Sequence, residues 1–409
     1  MTLPSRPARV LCALLCTLAM AACGANGGTG PAARPPVITV DGVADGGSYA
    51  GAVTVTIAVD RGSYEATLNG APFTSGRTIA EPGAYTLLVI ARNGLDTSTV
   101  RISFSIAPPP GGTLIVRLFN LGANASGGGG DAILVTDSSA GGLIHVLIDA
   151  GPAGSGGSDT DFVRRRLSAL GVDTIAYMIL THAHADHYLG MSAILAGLPV
   201  RRFLYNGQVR SAVTYERTIA DARTHADSVI VVRDTIPVAF GRSSEQSRFT
   251  IMPPIPAWLS IDTDDSTPLN DGSVGMQLRR GTFAMFFTGD GEVQANNRWR
   301  TQFPAYTRNI DVLKVGHHGA NDAIFDNGFS GLASWLDHTS PSISVISANG
   351  TSHPRRNALT RLLAQTNMRT YCTSVHGDIT LRIYSDSRVI VTVERSADAD
   401  CVPGTQATT

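Results

Sequence analysis

Lysine is almost missing from this chain of 409 residues: Lys314 is the only one, and arginine supplies every other basic side chain. Charge is sparse as a whole, at 16%. The 32 basic residues fall to 30 once Arg6 and Arg9 of the N-terminal 22 are set aside, against 33 acids, a net charge of −3. That balance excludes a global basic field for nucleic acid, though not a local patch. One lysine where arginine does all other work suggests a local need at Lys314; a strand residue without special role is the plainer reading. Cysteine is scarce too. Of five, Cys12 and Cys16 lie in an N-terminal apolar run and Cys23 just beyond it, so Cys372 and Cys401 alone serve the folded part. Two cysteines exclude a disulfide-dense scaffold, but in an oxidising compartment they can tie the C-terminal tail to a late strand. Two buried thiols are the alternative. Long apolar runs are also lacking: residues 10–20 are too few to span a bilayer, and no set of spanning segments follows, which speaks against a DNA channel built of membrane-crossing helices.

What is present begins with an export signal. Arg6 and Arg9 precede the apolar run, and Ala21-Ala22 supplies a small-residue cleavage site. Met20-Ala21-Ala22-Cys23 resembles the bacterial lipoprotein lipobox, with Met20 where leucine is commoner. The resemblance implies a signal peptide over residues 1–22, a lipid anchor on Cys23 and a place at the cell envelope, on the periplasmic or extracellular face. An ordinary signal peptide is the alternative. Residues 23–36, rich in Gly, Ala and Pro, read as a disordered tether.

Residues 37–106 change to short alternating runs, at 53–59, 64–68, 85–91 and 99–104, punctuated by Asn69-Gly70 and Glu81-Pro82-Gly83. Such runs predict a small all-β sandwich. The phrases Asp45-Gly46-Gly47-Ser48-Tyr49 and Gly83-Ala84-Tyr85-Thr86-Leu87 resemble Ig-like domains of bacterial surface proteins, a spacer or weak binding module. A stiff Pro/Gly linker at 107–112 closes this part. Residues 113–395 then mix strands and helices, predicting an α/β domain of two sheets with helices outside, and 396–409 read as a C-terminal tail.

Chemistry concentrates at Thr181-His182-Ala183-His184-Ala185-Asp186-His187, directly after the apolar run 175–180. If that run is a buried strand, the cluster sits at its C-terminal end. Alternation along an extended loop sends His182 and His184 to one side; Asp186 and His187, where a helix should begin, aim at a neighbouring point. Two adjacent metal sites are thereby expected, with nitrogen and carboxylate donors suited to zinc, manganese or iron. Further on, Phe286-Phe287-Thr288-Gly289-Asp290 ends a strand in an acid, and Leu313-Lys314-Val315-Gly316-His317-His318-Gly319 ends another in paired histidines.

This succession resembles the metallo-β-lactamase superfamily. Together with Asn120-Leu121-Gly122, Gly130-Asp131-Ala132, Ile148-Asp149-Ala150-Gly151, Asn270-Asp271-Gly272-Ser273 and Ser352-His353-Pro354, it looks like the hydrolase domain of ComEC-type competence proteins over about residues 114–393. The resemblance implies a four-layer αββα sandwich and two divalent cations, zinc or alternatively manganese. His182 and His184 would hold one, Asp186, His187 and His318 the other, and Asp290 would bridge them. Asp186, Asp290, His317 and His353 are the expected catalytic residues, with His317 facing substrate and His353 donating to phosphate or leaving group. No third-motif histidine occurs between His187 and Asp290 except His225, which reads as a surface residue. The first site is therefore short of ligands, to be filled by water or by Asp131. Asp131 and Asp149 read equally as loop-shaping or as support for ligand histidines.

The implied reaction is phosphodiester or phosphoester hydrolysis by metal-bound hydroxide, since two cations bring the pKa of bound water from ~15.7 towards ~7. The phosphoester would come from nucleic acid or the cell envelope; no protein partner is indicated. Hydrolysis of a lactam, lactone or thioester on the same fold is one alternative, and a surface binding module with a structural metal site is another.

Overall fold

The computed structural model describes residues 34–94, 96–107, 112–122, 129–138, 142–240 and 247–407. The expected signal peptide, Cys23 and the tether up to residue 33 lie outside them. Two compact units emerge, one from the stretch ending at Gly46 with Thr54–Arg77 and Tyr85–Ser103, the other from Gly47–Val53, Thr78–Ala84 and Phe104–Thr409. Among the described residues no helix is long and apolar enough to cross a membrane.

Every element between residues 38 and 106 is a strand, in a three-stranded and a five-stranded sheet. The cause is visible in the sequence: Val53, Val55 and Ile57 alternate with Thr54, Thr56 and Ala58, and the first set is buried while the second is exposed, as a period of two requires.

The larger unit contains β1 (Thr113–Leu118), β2 (Ile133–Asp137), β3 (Ile144–Ile148), β4 (Ile175–Leu180), β5 (Val200–Tyr205), β6 (Ala226–Val231), β7 (Ile236–Phe240), β8 (Ser247–Met252), β9 (Gly275–Arg280), β10 (Phe283–Phe287), β11 (Val312–Lys314), β12 (Ile343–Ile346), β13 (Arg369–Cys372), β14 (Ile379–Tyr384) and β15 (Val389–Val393). One sheet runs β6-β5-β4-β3-β2-β1-β14-β15 and the other β7 to β13 in chain order. Within the first, β3, β4, β5 and β6 are parallel; within the second, β10, β11, β12 and β13 are.

Apolar side chains on facing strands fill the space between the sheets: Val116, Val135, Ile148 and Ile179 meet Phe249, Met276, Phe287 and Val312. The opposite faces are covered by helices. Met178, Leu180 and Phe203 pack under Leu167 of α1 (Phe162–Ala169) and, with α2 (Ala185–Tyr188) leading into it, under Ile194 of α3 (Met191–Gly197) and Ile219 of α4 (Val213–His225). On the other side Phe286, Leu313 and Ile346 pack under Trp299 of α5 (Val293–Gln302), Trp335 of α6 (Ser334–Thr339) and Leu359 of α7 (Arg356–Leu363). Strand β4 shows the logic, with Met178 and Leu180 turned to the helices and Ile179 to the partner sheet. The result is the expected αββα layering, because a strand buried on both faces has no polar side and reads as a continuous apolar run.

Candidate metal centre

The parallel strands end at one edge, and the loops leaving them build the site. Strand β4 passes into Thr181, whose N–H and hydroxyl donate to Asp149 Oδ1 and Oδ2 at 2.8 and 2.7 Å. This ties the motif loop to the end of β3. His184, extended at φ −89° and ψ 147°, precedes α2, and Asp186 and His187 lie within that helix. The chain thus turns between the two ligand pairs. His182 Nε2 and His184 Nδ1 stand 2.9 Å apart. Asp186, His187, Asp290 and His318, all buried, bring one ligand atom each within 4.8 Å of one another. Asp290 Oδ2 is central: it lies 3.1 Å from His187 Nε2, 3.1 Å from His318 Nε2 and 3.9 Å from His182 Nε2. Asp186 Oδ2 is 3.3 Å from His318 Nε2.

These residues fit a cation by their own hydrogen bonding. His187 Nδ1 donates to Asp149 Oδ2 at 2.7 Å and His318 Nδ1 to Ser347 O at 2.9 Å. With the proton fixed on Nδ1, each Nε2 presents a lone pair, and both Nε2 atoms are buried without a hydrogen-bond partner. Two imidazole nitrogens and two carboxylates suit a first-row divalent ion. Burial opposes the charged form of Asp186; when His187 and His318 instead carry a second proton, on Nε2, the positive charge of His187 and the bond from His318 outweigh it and hold the carboxyl at about 2. Burial pushes His184 down to about 4. Asp149, His317 and His318 occupy left-handed backbone, at φ 55°, 41° and 54°. Non-glycine residues held there cost roughly 1–3 kcal/mol each, a cost that clusters at functional sites.

The paired histidines divide. His318 joins the buried group, whereas His317 sits outside it at the mouth, Nδ1 2.9 Å from Glu292 Oε1 and 3.4 Å from Asp322 Oδ1. Burial disfavours the imidazolium, yet hydrogen bonds to Asp322 and Glu292 raise it to about 10. Asn270 Nδ2 braces Glu292 Oε1 at 2.6 Å. His353, 5.4 Å from His317 between ring centres, is pushed down to about 2 by burial and by the nearby histidines. Its Nδ1 lies 3.1 Å from Ser352 Oγ, which itself accepts from Asn349 Nδ2 at 3.2 Å. The serine proton is thus free to serve His353 Nδ1, leaving Nε2 as an N–H donor.

One expectation changes. Asp131 does not complete the first site; it pairs with the Nζ of Lys314, because a buried carboxylate takes the ammonium within reach. Lys314 in turn donates to Gly289 O at 3.0 Å and lies 3.9 Å from Asp290 Oδ1, so it is a fixed charge beneath the site. His225 is exposed at the end of α4, its Nδ1 bonded to Asp221 O of the same helix. Among the described residues no group of three His, Cys, Asp or Glu forms around both His182 and His184. Glu292 and Asp322 went unnoticed in the sequence. Their signal is weak: an acid two residues after Asp290, and another four after His318.

Residues 125–276 match the family model described as Metallo-beta-lactamase superfamily. ComE operon protein 3 of Bacillus subtilis (strain 168) is 25% identical over 221 residues, 53% of this chain and 26% of the relative; the match spans about a quarter of that protein's length. Similar solved structures include a mutant of CmlA beta-hydroxylase, at 16% identity, 67% of this chain, 54% of that one and a TM-score of 0.38. A metallo-β-lactamase from Hirschia baltica is 13% identical over 55% of this chain and 84% of its own, with a TM-score of 0.24.

Proposed function

We propose that the metallo-β-lactamase superfamily domain carried by this chain is a binuclear metal-dependent hydrolase of phosphodiesters or related phosphoesters. It would act at the cell envelope, exported by the N-terminal signal and held by a lipid on Cys23. The superfamily match supports hydrolysis. The substrate class rests on one observation: the buried group of Asp186, His187, Asp290 and His318 lies beside two further imidazoles, His317 and His353, that stand outside it.

Two divalent cations at such a site would lower the pKa of water from ~15.7 to ~7 and polarise a phosphoryl oxygen. Against Asp186 and Asp290 they leave about two positive charges in excess, which favours an anionic phosphoryl group. Around them each residue has a task. Asp149 and the Ser347 carbonyl hold His187 and His318 in the tautomer that offers Nε2. His317, kept as an imidazolium by Glu292 and Asp322, can pass its proton to the leaving oxygen. His353 presents Nε2–H to a non-bridging phosphoryl oxygen, with its other nitrogen served by Ser352. The absence of a histidine third ligand beside His182 and His184 argues against a lactamase-like site.

Assays on bis-p-nitrophenyl phosphate, a phosphorylcholine ester, single-stranded DNA and nitrocefin test the substrate class. Turnover of a phosphoester with nitrocefin left intact is expected; nitrocefin hydrolysis without phosphoesterase activity would overturn the reading. For the anchor, the Cys23→Ser protein should leave the membrane fraction, and its retention there would count against lipidation.

A further inference from the structure

The segment after Cys401 packs along the loop that carries His353. Cys372, at the end of β13, is joined to Cys401, and both are buried. From that fixed point residues 404–406 run along the loop that carries His353. Gly404 N–H donates to Pro354 O at 3.0 Å, Thr405 N–H to Gly350 O at 2.9 Å and Gln406 N–H to Thr351 O at 2.8 Å. Contact at Gly404 is close enough that a Cβ there would lie 2.4 Å from Thr351 O and 2.9 Å from His353 N. Ala399 O, just before the cysteine, receives Arg369 at 2.9 Å and lies 3.1 Å from His376 Nε2, so the approach to the bridge is anchored as well.

The loop itself is a turn gathered around Asn349, whose Oδ1 accepts from Thr351, Ser352 and His353 N–H at 2.9, 3.1 and 3.3 Å. It belongs to no strand and no helix. Its backbone partners outside the turn include the tail. A loop of this kind opens locally at low cost unless it is tied down, and the tie here runs through a covalent bond that a reductant can break.

We propose that Cys401–Ala407, locked by the Cys372–Cys401 bridge, is a positioning clasp for His353, so that the oxidised chain holds this imidazole against the metal centre and the reduced chain releases it. The proposal rests on the hydrolase reading above only for its kinetic consequence. Reduction by a dithiol breaks the S–S bond to two thiols, taking two electrons and two protons from the reductant, which closes to its own disulfide. An oxidising compartment would then switch the site on after export.

Hydrogen exchange on the full chain, before and after dithiothreitol, reads the clasp without substrate. Protection at 404–406 and at Gly350 should fall by about tenfold or more on reduction. In kinetics, Cys401→Ser should lower kcat on bis-p-nitrophenyl phosphate about tenfold with KM little changed, the mark of a contact made in the transition state. His353→Ala should lower it roughly a hundredfold, as for loss of one oxyanion donor, and the double variant should be no worse than His353→Ala alone. Gly404→Val, which crowds Thr351 with the bridge intact, gives a second route should Cys401→Ser fold poorly, and should show the same loss. Unchanged exchange at 350–353 and 404–406 on reduction, or losses from Cys401→Ser and Gly404→Val that multiply with that of His353→Ala, would overturn the clasp. A chain that turns over no phosphoester, yet loses protection on reduction, would sink the hydrolase reading and leave the clasp standing.

Discussion

Lys314 carries the chain's one ammonium group to a place closed to solvent, where it meets Asp131, the Gly289 carbonyl and, at 3.9 Å, Asp290 Oδ1. Burial opposes its charge, but Asp131 and Asp290 outweigh that and raise its pKa. Lys314→Met would leave Asp131 charged and alone in the interior, a loss of about 3–5 kcal/mol, measurable by chemical denaturation. A loss below about 1 kcal/mol, the scale of an exposed pair, would show that the pairing matters little. His317 gives a pH dependence. Its folded pKa, about 10, stands above the 6.5 of a free imidazole. The stability it contributes is therefore fully present below pH 6.5 and lost as the pH rises towards 10. In metal-free protein, denaturation midpoints should fall across that window, and His317→Gln should flatten the slope; an unchanged slope would refute the assignment.

The sequence made most candidate ligands legible because each closes an apolar run: His182 follows β4, Asp290 follows β10, and the His317-His318 pair follows β11. The residue pattern alone did not separate His317 from His318, and only the resemblance favoured His318. That choice depends on two consecutive left-handed residues, which fold His318 inward and His317 to the mouth. Nor could it place Asp131 against Lys314, a contact between residues far apart in the chain.

At the scale of elements, the site depends on backbone segments that approach closely. A Cβ at Gly151 would lie 2.0 Å from the carbonyl oxygen of Asp186, and one at Gly130 would lie 2.6 Å from it. The loops after β3 and before β2 are thus packed against α2, which carries Asp186 and His187. Gly151→Ala must push α2 outward, and overpacking of this kind costs roughly 1–3 kcal/mol. Metal uptake should weaken in parallel, whereas Gly51→Ala, with open space around it and no left-handed backbone, provides the control. Equal metal affinity in both variants would contradict the account.

Strands β5 to β7 carry little strand pattern of their own. In β5, Val200-Arg201-Arg202-Phe203-Leu204-Tyr205 opens with two exposed arginines that break the apolar run. Strand β6 follows α4 without a loop and starts on Ala226-Asp227-Ser228, and β7 contains Pro237. Such strands are fixed by their neighbours more than by their own pattern. Just before β9, Ser273 and Val274 bond to Asn270 O and Thr181 O in the approach to the site.

In the larger unit of the molecule, two sheets lie back to back and expose the ends of their parallel strands at one edge, where histidines and carboxylates of α2 and the surrounding loops converge. The αββα order was legible because strands buried on both faces are uniformly apolar. The docking of the last residues was not, since Val402-Pro403-Gly404-Thr405 has neither period nor charge to mark it. The central claim is that this edge is a two-cation hydrolytic site. It is tested most directly by adding zinc or manganese in steps to metal-free protein while following turnover of bis-p-nitrophenyl phosphate, with Asp290→Ala alongside. Activity should appear as two equivalents bind per chain, and the variant should neither bind the second equivalent nor turn over substrate. Full turnover by Asp290→Ala, or by the metal-free chain, would contradict the account.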